Sequence, residues 1–214
     1  IWIGIFLLCA IMNSVVGAEE PANDAVEVEA KFFKSMEELK YPQVKLPEDR
    51  PFERKINKDF TNYIKESYKS YRKNEKQAKK QGFPADYQSD FEVKYNQNQK
   101  LSILTSDYKF AGGAHGSTIV QSFNYDLDDR KRVWLTDILS SKEKVESVVD
   151  FVLEYTSERP EIFFPDLKEE DIQLEKETAF YFTDDGIALV FQQYEVAPYA
   201  SGNQEIAVPQ EVYQ

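Results

Sequence analysis

Phe180-Tyr181-Phe182-Thr183-Asp184-Asp185-Gly186-Ile187-Ala188-Leu189-Val190-Phe191 carries the plainest strand signal in the chain. Two aromatic and β-branched runs flank a short polar break, the composition of an antiparallel hairpin with Asp185-Gly186 as its turn. One more strand follows before Val208. Upstream the spacing changes. From Pro51 the apolar positions are Phe52, Ile56, Phe60, Tyr63, Ile64, Tyr68 and Tyr71, steps of three and four that make one face of a helix. Pro51 suits its first turn and Gly82-Phe83-Pro84 stops it. A second amphipathic helix is predicted from Lys142 to Ser157, burying Val145, Val148, Val149, Val152 and Leu153. Between the helices, strands are predicted over Asp90–Tyr95, Leu101–Phe110, Ser117–Leu127 and Arg132–Leu135, with Thr136 and Asp137 opening a short helix. Ala25–Ala30 alternates apolar and charged residues like a half-buried strand, and Tyr41-Pro42 and Leu46-Pro47 are expected to break regular structure. The expected fold class is α+β: an antiparallel β-sheet packed by two long amphipathic helices.

Composition narrows the function. The 214 residues include 42% hydrophobic and 30% charged side chains, enough apolar material for a sizeable core. The net charge of -12 argues against a nucleic-acid partner and for a cationic one. The charge is uneven: residues 51–80 hold 10 Lys+Arg against 4 Asp+Glu, so the remaining chain carries -18. A docking device and a merely solvated helix face both fit that run. Ile1–Ala18 carries no charge and ends in Val16-Gly17-Ala18, which fits a signal peptide cleaved after Ala18. A retained membrane anchor also fits, since about 18 apolar residues is the lower limit for a span. Either way the rest of the chain is expected to be extracytoplasmic, secreted or held on the outer face of a bacterial membrane, with residues 19–25 as a linker. The one cysteine, Cys9, falls inside this segment, so disulfides, thiolate metal sites and cysteine nucleophiles are excluded downstream.

The motifs exclude more chemistry than they suggest. His115 is the only histidine, so multi-histidine metal sites cannot form, and neither a metal nor another cofactor is expected. A serine triad would need His115 with Ser117 or Ser122, and no G-x-S-x-G elbow presents such a serine. Gly112-Gly113-Ala114-His115-Gly116 places three glycines in five residues; a tight crossing between strands and a binding loop both fit. Asp126, Asp128 and Asp129 begin like a calcium loop, but Arg130 and Lys131 stand where a ligand and the turn glycine belong, so a charged hairpin turn is expected. Thr183-Asp184-Asp185-Gly186 is similar to the T-F-D-D-G of polysaccharide deacetylases, without the histidine pair their metal needs. No catalytic residue is assigned.

A family resemblance rests on two groups of residues. One is Tyr41-Pro42-Gln43, Ile56-Asn57 and Gly112–Gly116. The other is Phe180–Gly186 followed by Tyr194-Glu195-Val196-Ala197-Pro198-Tyr199-Ala200-Ser201-Gly202. Together they resemble the paired domains of the PdaC-type deacetylase accessory region and of the RsiV-type anti-sigma factor ectodomain, over roughly residues 26–212. The resemblance implies an N-terminal domain at 26–118 and a C-terminal domain at 119–212, both extracytoplasmic and non-catalytic. In such anti-sigma factors the ectodomain binds lysozyme; in the deacetylases the pair precedes a separate catalytic domain. The implied function is a cell-envelope binding module for a cationic protein such as lysozyme, or, alternatively, an accessory module for cell-wall glycan (peptidoglycan). Its expected contact loops are Gly112, Gly113, His115, Gly116 and Ser117, and Pro198, Tyr199, Ser201 and Gly202, with Tyr199 as a rigid amphipathic anchor. Tyr41, Pro42, Asn57, Tyr194 and Glu195 carry the signature. Tyr194 and Pro198 shaping a strand end is the competing role.

Overall fold

The structure, a computed structural model, describes residues 25–214. The expected leader or anchor at 1–18 and nearly all of the 19–25 linker lie outside the described residues. Strand β1 (Glu27–Phe32) pairs antiparallel with β2 (Lys40–Lys45). Helix α1 (Arg50–Gln81) follows, and then a meander of β3 (Asp86–Gln97), β4 (Lys100–Phe110), β5 (Ser117–Asp126) and β6 (Lys131–Val133). After a single helical turn, α2 (Leu135–Ile138), helix α3 (Lys142–Ser157) leads into a three-stranded sheet of β7 (Ala179–Thr183), β8 (Gly186–Phe191) and β9 (Gln204–Pro209). All of these pairings are antiparallel, so the α+β expectation holds, with two long helices.

Each long helix lies where its apolar face demands. Phe52, Ile56, Phe60, Tyr63 and Ile64 of α1 are buried against Tyr87, Leu101, Ile103, Phe123 and Tyr125 of the meander. Asp49 caps its N-terminus by accepting from Phe52 N at 3.2 Å, and Gly82, at φ 76°, closes its C-terminus. The second core places Val148, Val149 and Val152 of α3 against Phe180, Phe182, Ile187, Leu189, Ile206 and Val208. A small third cluster, Leu104 and Val120 with Ala179 and Val190, joins the two. The division at 118/119 falls within β5, which pairs with β4 from Ser117 to Asp126 and gives Phe123 and Tyr125 to the first core.

Two local expectations are corrected. Tyr41-Pro42 does not break the chain: both residues lie inside β2, and Pro42 is buried opposite Ala30. Proline is tolerated because β2 is an edge strand. Val44, two residues on and so facing the same way, turns its N–H from β1 toward α1, so at Pro42 no ladder bond is lost. The Phe180–Phe191 hairpin does not turn on Asp185-Gly186. Thr183 pairs with Gly186, which leaves Asp184-Asp185 as the turn. Gly186 starts β8, where a β-carbon would lie 2.4 Å from the Val208 carbonyl of β9.

Asn57 ties helix to sheet. Its carboxamide accepts from Val44 N at 2.8 Å and donates to Val44 O at 2.9 Å, substituting for the missing neighbour strand along β2. Asn57→Ala leaves both backbone groups unpaired and should lower unfolding stability by about 2 kcal/mol, read as a fall in urea midpoint with unchanged slope. A loss under about 0.5 kcal/mol contradicts this role.

Candidate functional site

The two loops singled out in the sequence meet. The first, residues 111–116, joins β4 to β5; Gly112 and Gly113 adopt φ 106° and 103°. A β-carbon at Gly112 would strike the Phe83 ring at 2.3 Å, and one at Gly116 the Tyr108 ring at 2.4 Å. The glycines therefore let a loop lie flat on two aromatic rings while carrying His115 outward. The second loop follows β8, with a single helical turn at Tyr199–Ser201. The His115 imidazole stacks on the Tyr199 ring, centroids 3.7 Å apart and planes 23° apart. Tyr194, 57% exposed and held at φ 71°, lies 6.0 Å from Tyr199 by centroids, and its hydroxyl is 3.4 Å from His115 Nε2. His115 Nδ1 is 2.9 Å from the Gly116 carbonyl; that oxygen can only accept, so Nδ1 carries the proton. His115 and two tyrosines at least 79 positions away thus form one aromatic patch, with His115 and Tyr194 exposed and Tyr199 half-buried.

The other expected residues divide by role. Pro198 is exposed at the head of the Tyr199 turn, and Ser201 anchors it by donating to Ile162 O at 3.0 Å. Gly202 ends it at φ 71° with open space around it. Ser117 opens β5 beside His115 along a shallow groove that also touches Lys73 and Gln77 of α1. Glu195 is structural: its carboxylate accepts from Gln192 N at 2.6 Å and closes the turn that presents Tyr194. Tyr41 and Pro42 lie in β2 against the first core, remote in role from the patch, and Asn57 is the clamp described above. Neither serine completes a triad, since the His115 nitrogens face Gly116 and Tyr194, and Ser122 Oγ accepts from Phe180 N at 3.0 Å.

What sequence reasoning missed is how the patch is held together. The open edge of β5 is satisfied by side chains of the second unit: Gln192 accepts from Val120 N at 3.0 Å and donates to Val120 O at 2.8 Å, and Gln193 accepts from Thr118 N at 2.9 Å. In return, the edge of β7 is satisfied by the first unit. Ser102 accepts from Phe182 N at 3.0 Å, and Asn124 donates to Phe180 O at 2.9 Å. A bulge in β3 between Val93 and Tyr95 adds Lys94, 3.0 Å from Glu205 of β9. The only sequence signal for this clasp is a polar residue at a buried strand position, as at Ser102 and Asn124.

A second concavity, about 490 Å³, opens between α1 and the β4–β6 face, with Glu177 of the second unit on its rim. Its floor is a buried polar cluster in which Asp107 accepts from Tyr63 at 2.8 Å, Ser67 at 2.7 Å and Ser89 at 2.6 Å. Nearby, Tyr125 donates to Asp59 at 3.0 Å, and Arg132 stacks over Trp134. The Tyr87 hydroxyl is buried without a partner. Among the described residues no group of three or more His, Cys, Asp or Glu side chains is placed to hold a metal ion. Burial, then the neighbouring carboxylate, pushes the Tyr63, Tyr87 and Tyr125 hydroxyls far above the usual tyrosine range. The unfolded chain releases these protons near pH 10 and the folded chain holds them, so stability falls as pH rises beyond about 10. Ultraviolet titration should show at least these three tyrosines ionising only together with unfolding. Their titration near pH 10 in folded protein contradicts the arrangement.

Comparison with known proteins follows this two-unit division. Residues 28–118 match the model of the family described as Deacetylase PdaC, and residues 136–211 match that of a protein of unknown function, DUF3298. The chain is 27% identical over 127 residues to the peptidoglycan-N-acetylmuramic acid deacetylase PdaC of Bacillus subtilis; the match covers 56% of this chain and 26% of that protein. Crystal structures of DUF3298 family proteins from Bacteroides fragilis and Pseudomonas aeruginosa superpose with TM-scores of 0.63 and 0.60 at 17% and 18% identity. They cover 88% and 89% of this chain and 92% and 93% of theirs, so they share its fold. Both matches and the shared fold point the same way: residues 28–118 are similar to the PdaC family and residues 136–211 to the DUF3298 family.

Proposed function

We propose that this chain is a non-catalytic, extracytoplasmic binding module of the cell envelope that takes a cationic protein such as lysozyme on the His115–Tyr194–Tyr199 patch. The observation that carries the reading is the 3.7 Å stack of His115 on Tyr199, which makes one surface of two loops from different domains. Tyrosine supplies contact area at low entropic cost, and the glycines flanking His115 allow close approach. The DUF3298 half, residues 136–214, carries 18 Asp+Glu against 5 Lys+Arg, a field that steers a basic partner. The apolar segment Ile1–Ala18 and the kinship to a peptidoglycan deacetylase support an envelope location.

A second reading, an accessory module for cell-wall glycan, draws on the groove over Asp107. Carboxylates, hydroxyls and the amides of Asn62 and Gln121 converge there, chemistry suited to a polyhydroxylated ligand.

Calorimetric titration with a c-type lysozyme at physiological salt, against an unrelated protein of similar basicity, separates the readings. The first predicts salt-tolerant binding to lysozyme alone, weakened at least about tenfold by Tyr199→Ala with the fold intact. Equal binding to both proteins, or affinity untouched by Tyr199→Ala, contradicts it. Binding of soluble muropeptides instead supports the second.

A further inference from the structure

We propose that the outer face of α1 is a docking surface for an anionic lipid bilayer. Lys58, Lys65, Lys69, Arg72, Lys76 and Lys79 are all exposed. At about 100° per residue they form one stripe opposite the buried face, about 32 Å long. No Asp or Glu of α1 falls within roughly 60° of the stripe's axis. Of these six, Lys69 pairs with Glu66 at 2.6 Å and Arg72 with Glu75 at 2.9 Å, while Lys58, Lys65, Lys76 and Lys79 make no ion pair among the described residues. A chain of net charge -12 thus presents one straight row of six cations, four of them without an ion-pair partner among the described residues.

The row's chemistry favours a surface over a threaded polymer or a compact anion. Five of its six cations are lysines, flexible point charges suited to diffuse attraction, on the outer face of the helix. At its end Phe83 is 50% exposed, beside a shallow concavity lined by Arg72, Lys76 and Lys79 and by one carboxylate, Glu75. An exposed aromatic next to a basic helix is what enters the headgroup layer of an anionic leaflet. A retained anchor at Ile1–Ala18, one of the two readings above, would hold the chain at such a surface. This proposal is independent of the lysozyme reading, since the stripe and the His115–Tyr199 patch share no residue.

Co-sedimentation of the full chain with phosphatidylcholine vesicles, with and without about 30% phosphatidylglycerol, tests it. Any contribution of residues 1–18 is common to both vesicles, so the ratio between them reads the stripe. Partitioning should be at least about tenfold stronger onto anionic vesicles, should weaken with added salt, and should fall to the zwitterionic level for Lys58→Glu/Lys65→Glu/Lys76→Glu. Lys58→Gln/Lys65→Gln/Lys76→Gln should lie between. Equal partitioning of the wild type onto both vesicles overturns the proposal, as does an anionic preference that survives the triple reversal. Binding to soluble polyphosphate with no vesicle preference also overturns it, in favour of a polyanion.

Discussion

The structure depends on how two sheet edges are satisfied. β5 and β7 each end a ladder along part of their length, and neither continues into the other's sheet. Their free N–H and C=O groups are met by side chains from across the seam: the amides of Gln192, Gln193 and Asn124 and the hydroxyls of Ser102 and Ser122. Buried backbone groups left unpaired are costly, so this reciprocal arrangement fixes the two units at one angle. It also closes edges that would otherwise pair with another chain. Leu104, Val120, Ala179 and Val190 seal the seam with apolar contact.

The aromatic patch follows from that constraint. His115 leaves the end of β4 and Tyr199 the end of β8, and rings 84 positions apart stack at 3.7 Å only because β5 and β8 are already aligned through Gln192. Glycines then do local work: Gly112 and Gly116 make room for Phe83 and Tyr108, and Ser201 and Glu195 brace the opposing loop. The Asp107 cluster plays the matching part inside the first unit, locking α1 to β3 and β4 through three hydroxyl donors.

Much of this was legible in the sequence, for physical reasons. The helical period of Phe52 to Tyr71 and the two strands flanking Asp184-Asp185 are local patterns and emerge where expected, with the turn one residue earlier than Asp185-Gly186. Pro42 misled because whether a proline breaks a strand depends on which side its nitrogen faces, a tertiary fact. The loops around His115 and Tyr199 are each legible as loops, but their contact is not, since nothing in either loop encodes a partner so distant in the chain. The clasp was invisible: Gln192, Gln193, Ser102 and Asn124 read as ordinary polar residues until the edges they cover are known.

The claim that two distant loops form one surface is tested most directly by the proton resonances of the imidazole. With a single histidine the assignment is unambiguous. Stacking on Tyr199 predicts ring-current shifts of the His115 protons upfield from the free imidazole, relieved by Tyr199→Ala. Free-imidazole shifts in the wild-type protein, unmoved by that substitution, would mean that the loops do not meet and that the binding surface drawn from them does not exist.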